Sequence, residues 1–329
     1  MNLICFDLEG PLAPQDNAYE LMKLFPQGGK IFEIISRYDD LLTLEGRPDY
    51  EPGDALALIA PFLAYHGIEE KQISAMGQKA RLTQGAAELI STLKSRDWYI
   101  FCISTSYEQY ACTITQRLGI SSKNVSCTSF SLTQIRQLLS RDEYTLLEQT
   151  EREIMKLNPF IDDTRIREYL DYFYARKLPQ TGSGRIISQV KPVGGRRKVE
   201  ALQNFSTKMA KPLSSWVVIG DSITDFKMLR TVNKSGGLAI AFNANEYALP
   251  HSTLGLASVN LADLWIVLEV WEKGDRHFVE RVVKEREKTG GSEDRMWFHW
   301  LAGAKDITPA LEIHKRIRHL TREEAAQLG

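Results

Sequence analysis

Cysteine is scarce: Cys5, Cys102, Cys112 and Cys127 are all that 329 residues contain. That density is too low for a disulfide scaffold, and no pair has the spacing of zinc ligands. All four are expected to be reduced thiols, with Cys5 and Cys102 inside buried strands. The six histidines lack metal-ligand spacing too. No apolar run reaches the roughly 18 residues that cross a bilayer. No basic region precedes the short apolar stretch at the N-terminus, which is expected to be a strand rather than a signal peptide. A cytoplasmic location without membrane insertion is the resulting expectation. Neither charge sign dominates: 41 Lys and Arg stand against 42 Asp and Glu, a formal net charge of −1. That balance speaks against a nucleic-acid partner spread over the whole surface. Internal repeats and long low-complexity tracts are also lacking.

What remains is material for a sizeable core, at 43% hydrophobic and 25% charged residues, and a length that suggests about two domains. Leu3–Phe6, Trp98–Ile103, Ile186–Val190, Ser215–Ile219 and Leu238–Phe242 read as strands, with Val125–Cys127 as a short further one. Gly85–Ser95, Tyr107–Leu118, Gly195–Phe205, Ile223–Thr231 and Leu261–Trp271 read as helices between them. The alternation predicts an α/β, Rossmann-like doubly wound parallel sheet with helices on both faces. Two helical insertions interrupt it. The expected division is a core of 1–15, 78–130 and 185–274, a helical cap of 16–77, a second helical insertion of 131–184, and a helical C-terminal extension of 275–329 broken at Thr289–Ser292.

The chemistry is expected where strands end in acids. Asp7 and Glu9 follow the first strand; Asp221 and Asp225 follow the strand at 215–219; Ser104 and Thr105 follow the strand at 98–103. Ligands bind beyond the carboxyl ends of such strands. Taken singly, an Asp after a strand is most often a turn or cap residue, and a lysine such as Lys198 a solvated one. Brought together, the four acids repel: two like charges about 4 Å apart cost roughly 4 kcal/mol at an effective dielectric near 20. Only protons or a cation among them relieve that, and an all-oxygen ligand set favours a hard ion such as Mg²⁺.

Four motifs in this order resemble the haloacid dehalogenase-like phosphohydrolases, in particular the phosphoserine phosphatase-like branch. They are Phe6-Asp7-Leu8-Glu9-Gly10, Ile103-Ser104-Thr105-Ser106, the helix start Arg197-Lys198-Val199-Glu200, and Gly220-Asp221-Ser222-Ile223-Thr224-Asp225. The resemblance implies a Mg²⁺-dependent phosphatase or phosphotransferase acting on a small phosphorylated metabolite. In it Asp7 is the nucleophile that becomes an aspartyl-phosphate, Glu9 the general acid and base, and Lys198 the charge-neutralising lysine, with Lys191 as runner-up. Ser104, Thr105 and Gly10 are the implied phosphate-binding positions, and Asp7, Glu9, Asp221 and Asp225 the implied metal positions. Two departures stand out: Glu9 and Pro11, where the family usually has Asp and Thr or Val.

The resemblance also implies that residues 16–77 cap the site and read the substrate. Gln15 or Asp16 falls near the acid that phosphoserine phosphatases use there. Where their arginine is expected, this chain has Ala57-Leu58-Ile59-Ala60, which makes phosphoserine an unexpected substrate. Arg47 is read as a loop residue. The aromatic residues Tyr169, Tyr172, Phe173 and Tyr174 are read as packing, with a homodimer through the helical insertions as the other reading. Met296–Trp300 is expected to pack on the core, and the basic run His314–Arg322 to be a solvated helix face. The alternative function is a catalytically weak relative that serves as a binding or assembly partner.

Overall fold

The computed structural model describes residues 1–289 and 296–322. Seven strands form one sheet: β1 (Asn2–Phe6), β2 (Trp98–Tyr107), β3 (Val125–Thr128), β4 (Trp216–Gly220), β5 (Leu238–Phe242), β6 (Leu254–Ser258) and β7 (Met296–Trp300). Their order is β3-β2-β1-β4-β5-β6-β7, all parallel except β7, which runs antiparallel to β6. The order reverses between β1 and β4, where the chain winds outward in both directions and a crevice opens at the strand ends.

Period-two alternation distributes the strand residues between two buried layers. Leu3 and Cys5 of β1, Phe101 and Ile103 of β2, Trp216 and Val218 of β4, and Ala239 and Ala241 of β5 face one core. Ile4 and Phe6, Ile100 and Cys102, Val217 and Ile219, and Leu238 and Ile240 face the other. With both faces covered, the strands read as unbroken apolar runs.

The helices are α1 (Asn17–Met22), α2 (Gly28–Leu44), α3 (Ala55–Tyr65), α4 (Glu70–Lys79), α5 (Ala86–Ser95), α6 (Glu108–Arg117), α7 (Leu132–Gln137), α8 (Arg141–Ile154), α9 (Asp163–Asp171), α10 (Gly182–Ile187), α11 (Arg196–Met209), α12 (Phe226–Lys234), α13 (Trp265–Lys273), α14 (Arg276–Thr289) and α15 (Thr308–Arg322). α11, α12 and Ala310 of α15 cover the first core. α5, α6, α13 and α14 cover the second, together with both insertions.

The two insertions pack on each other as one helical layer. Arg37 of α2 donates to both carboxylate oxygens of Asp163 at 2.8 and 2.6 Å. Tyr38 donates to Asp171 at 2.6 Å, and the Tyr174 hydroxyl to the Leu58 carbonyl at 2.8 Å. A π-helical turn at Tyr172–Lys177 buries Phe173 against Phe62, ring centres 6.0 Å apart. Tyr172 stays 45% exposed, so the aromatic cluster packs only in part.

Three expectations change. Ile186–Val190 is not a strand: Gly182–Ile187 is helix α10, whose start Thr181 caps through its hydroxyl at 3.0 Å from the Gly184 N–H. Its apolar Ile187 and Val190 are buried in the insertion layer and not in the sheet. Leu254–Ser258 is a strand the sequence reading passed over, because Gly255 and Ser258 dilute its apolar pattern. The extension is not wholly helical either, since Met296–Trp300 alternates as an edge strand with Phe298 inward. The break expected at Thr289–Ser292 lies mostly outside the described residues, as does the end of the extension beyond Arg322. No described helix is long and apolar enough to cross a membrane.

α15 docks on the sheet through His314. Its Nδ1 accepts from the Ala244 N–H at 2.9 Å, so the ring must be neutral. A Cβ on Gly255 would come within 2.7 Å of His314 Nε2, which is why β6 carries a glycine there. Burial, then the nearby His299, pushes the His314 pKa down to about 3. An unfolded chain protonates this ring near pH 6.5 while the folded one does not, so stability is complete above that pH and falls as pH drops toward 3. The slope is about 1.4 kcal/mol per pH unit, on the order of 2 kcal/mol by pH 5. Thermal midpoints measured from pH 7 to 5 should fall more steeply in the wild type than in His314→Asn, whose amide oxygen replaces Nδ1 without titrating; equal slopes would contradict the assignment.

Candidate active site

Asp7 continues β1 and Asp221 continues β4, so the two flank the point where the strand order reverses. The Asp7 N–H is fixed by the Ile219 carbonyl at 2.8 Å. After Asp7 the chain folds back on itself: the Leu12 and Ala13 N–H groups return to the Leu8 carbonyl at 3.0 and 2.8 Å. Gly10 holds φ +98° in this loop, and a Cβ there would lie 2.5 Å from the Asp221 carboxylate. Only glycine permits that approach.

Lys198 reaches the strand ends from the first turn of α11. Its Nζ lies 2.8 Å from Asp7 Oδ1 and 2.8 Å from Asp225 Oδ1, and all three side chains are buried. Burial alone would push the lysine down, yet Asp225 and Asp7 together hold it above its ordinary value. Burial pushes Asp7 well up, with Asp225 adding and Lys198 opposing. Lys191, the runner-up, is exposed.

The two acids of the turn divide their work. Asp225 accepts from the Asp221 and Ser222 N–H groups at 3.1 and 3.2 Å on Oδ2, while Oδ1 holds Lys198. Both its oxygens are thus engaged. Asp221 Oδ2 receives Arg318 and Arg322, but its buried Oδ1 has no hydrogen-bond partner. One oxygen from each of Asp7, Asp221 and Asp225 lies within 4.8 Å of the others. An orphaned buried carboxylate oxygen among oxygen donors fits a hard divalent ion, and Mg²⁺ is such an ion. Asp7 and Asp221 would hold it; Asp225 is placed to fix the turn and the lysine.

The remaining expected residues separate. Glu9 lines a cavity of about 100 Å³ between the strand ends and α2, together with Asp7, Asp16 and Thr105. Its Oε1 accepts from the Asn17 N–H at 2.6 Å, tying the loop after β1 to the start of α1. Burial, then the charge of Asp16, raises Glu9 to about 7. Asp16 caps α1 through the Tyr19 N–H at 2.9 Å. Ser104 is fully buried, with its hydroxyl accepting from the Ser106 N–H at 3.0 Å. The Thr105 hydroxyl donates to the Val193 carbonyl at 3.3 Å. The Gly10 N–H donates to the Ala13 carbonyl at 2.7 Å, inside the loop. Gly10 is therefore a close-approach residue beside Asp221. Arg47 is bound to Asp171 and, at 3.3 Å, to Tyr38, outside the cavity.

Two cations of the cavity were not foreseen. Arg318 and Arg322 of α15 are buried and line it, against the expectation of a solvated face for His314–Arg322. The signal was present: Ala310, His314, Ile317, Arg318 and Arg322 share one helical stripe, so the buried face of α15 carries its arginines with it.

Removing the lysine would leave two buried carboxylates without their cation, a loss of about 3–5 kcal/mol. Urea unfolding of Lys198→Met should show a destabilisation of that size; a change below about 1 kcal/mol would mean that the amine does not balance Asp7 and Asp225.

No protein-family model matches the chain, and no curated protein matches it. Among solved structures, gene product AF1437 from Archaeoglobus fulgidus is 28% identical over 100% of this chain and 99% of that one, with a TM-score of 0.86. A phospho-aspartyl intermediate analogue of phosphoserine phosphatase superposes over 80% of this chain and 97% of its own, at 17% identity and a TM-score of 0.51. A substrate-bound phosphoserine phosphatase complex covers 80% and 96%, at 16% identity and a TM-score of 0.51. The chain has the fold that the phosphoserine phosphatases share.

Proposed function

We propose that this protein is a phosphoric monoester hydrolase acting on a small phosphorylated metabolite through an aspartyl-phosphate on Asp7. The observation that carries the reading is the buried Asp7–Lys198–Asp225 set beside the orphaned Asp221 Oδ1, at the reversal of strand order. Lys198 and the Leu8 N–H, at 2.7 Å, both hold Asp7 Oδ1. That leaves Oδ2 to attack phosphorus as the ester P–O bond breaks. Glu9, two residues on and on the cavity wall, gives its proton to the leaving oxygen. It then takes a proton from the water that attacks the acyl-phosphate, which releases phosphate and restores Asp7. A Mg²⁺ ion held by Asp7 and Asp221 would supply charge neutralisation for the transferring group. Lys198 contributes the same from the protein side without moving.

Splitting the displacement in two requires a carboxylate that is both exposed to the cavity and fixed in direction. Asp7 meets both conditions. The alternative of a weak relative kept only for assembly is not favoured, because every position of the acid–lysine constellation is occupied by a residue able to act.

A panel of phosphate esters incubated with Mg²⁺ should release phosphate with the wild type and at least about 10³-fold more slowly with Asp7→Asn, since loss of the nucleophile removes the covalent route. No turnover across the panel, together with no thermal stabilisation by beryllium fluoride and Mg²⁺, would sink the enzyme reading. Glu9→Gln separates the two halves of the mechanism. Its rate should fall by about 10²- to 10⁴-fold while the phosphate analogue still stabilises the fold.

A further inference from the structure

Two guanidinium groups reach the acidic cavity from the C-terminal helix. Arg318 and Arg322 stand one turn apart on α15, and both donate to Asp221 Oδ2, Arg322 at 2.7 Å. Both line the cavity beside Asp7, Glu9 and Thr105. Among the described residues that form its wall they are the only cations, whereas carboxylates also come from Asp16, Asp39 and Asp40. Arg322 gives Nε to the Pro14 carbonyl at 3.0 Å and Nη1 to Asp221. Its Nη2 has no hydrogen-bond partner among the described residues. A planar fork pinned at two corners and open at the third, on the wall of a cavity, is arranged to receive a carboxylate or phosphate oxygen.

The buried charges around Asp221 pair off. Three buried carboxylates, Asp7, Asp221 and Asp225, meet three buried cations, Lys198, Arg318 and Arg322. The chain therefore balances its own acidic cluster. Two of those three cations, Arg318 and Arg322, stand beside Asp221, so an anionic oxygen arriving there meets positive charge. Among the described residues no cation of the cap lines the cavity: its Arg47 is engaged with Asp171, and Ala57–Ala60 carry no charge.

We propose that Arg322, seated beside Arg318, is a substrate-binding residue that receives an anionic oxygen of the phosphorylated substrate, so that the C-terminal helix supplies the positive charge the cap lacks. That the anion belongs to a substrate rests on the phosphatase reading; that the arginine binds an anion does not.

Orthophosphate titrated calorimetrically into the full chain, after removal of metal with EDTA, tests this. The wild type should bind it, and Arg322→Gln should bind it at least tenfold more weakly. Mg²⁺ titrated separately should bind Arg322→Gln at least as tightly as the wild type, because a repelling charge is gone. The proposal is overturned by a wild type that binds no phosphate, by unchanged phosphate affinity in Arg322→Gln, or by a fall in Mg²⁺ affinity alongside phosphate. The last result would mean that Arg322 only orients Asp221. If circular dichroism shows Arg322→Gln unfolded, Arg322→Met, which keeps the apolar stem, is read in its place by the same criteria. The two readings fail separately. Arg322-dependent phosphate binding without ester turnover sinks the enzyme alone, and Asp7-dependent turnover with Arg322-independent phosphate binding sinks the arginine alone.

Discussion

Three carboxylates buried at the ends of two neighbouring strands set the terms for the rest of this molecule. Isolated buried charges of one sign are not tolerated, so each must be met by a cation, a set of N–H donors or a proton. Lys198 meets two of them, and α11 has to start where it does for its amine to arrive between Asp7 and Asp225. Asp221 is met by the arginines of α15. The strand order brings these acids together, and the helices on one face of the sheet are placed to answer them.

That constraint explains why the C-terminal extension is part of the site rather than an appendage. β7 closes the sheet against β6, and His314 seats α15 on the far side of Gly255. With the helix pinned there, its stripe of buried residues runs on to Arg318 and Arg322 at the strand ends. An edge strand, a neutral histidine and a glycine without a side chain act in sequence to deliver two guanidinium groups. A similar division holds at the other end of the cavity. Glu9 belongs to the core loop yet binds the first turn of α1, so this carboxyl group and the start of the helical layer are positioned together.

The two insertions, separated in sequence by α5, β2, α6 and β3, behave as one body through the pairs Arg37–Asp163 and Arg47–Asp171. Half-exposed ion pairs of this kind contribute modestly to stability. The apolar faces of α2, α3, α8 and α9, with Phe62 on Phe173, carry the association. The cavity wall formed by α2 is thus braced from behind by residues more than a hundred positions later.

Much was legible before any coordinates. Strand-sized apolar runs ending in Asp7 and Asp221, and a lysine at a helix start, identify a parallel sheet with acids at its carboxyl edge, because burial on both faces and the turn chemistry are local properties. The sequence favoured Lys198 without deciding against Lys191; it is the tertiary structure that buries Lys198 between Asp7 and Asp225. The sequence could not show that Asp225 is consumed by the lysine and two backbone N–H groups, that the Gly10 N–H goes to the Ala13 carbonyl while its Cα abuts Asp221, or that Ile187 belongs to the insertions instead of the sheet. Nor could it distinguish a solvated basic helix from one whose arginines point inward. Those are matters of which surfaces meet. A helical stripe and a strand pattern follow from neighbours three or two residues apart. The partner of a buried charge, by contrast, is set by long-range packing, and here Arg322 finds its carboxylate 101 residues earlier in the chain.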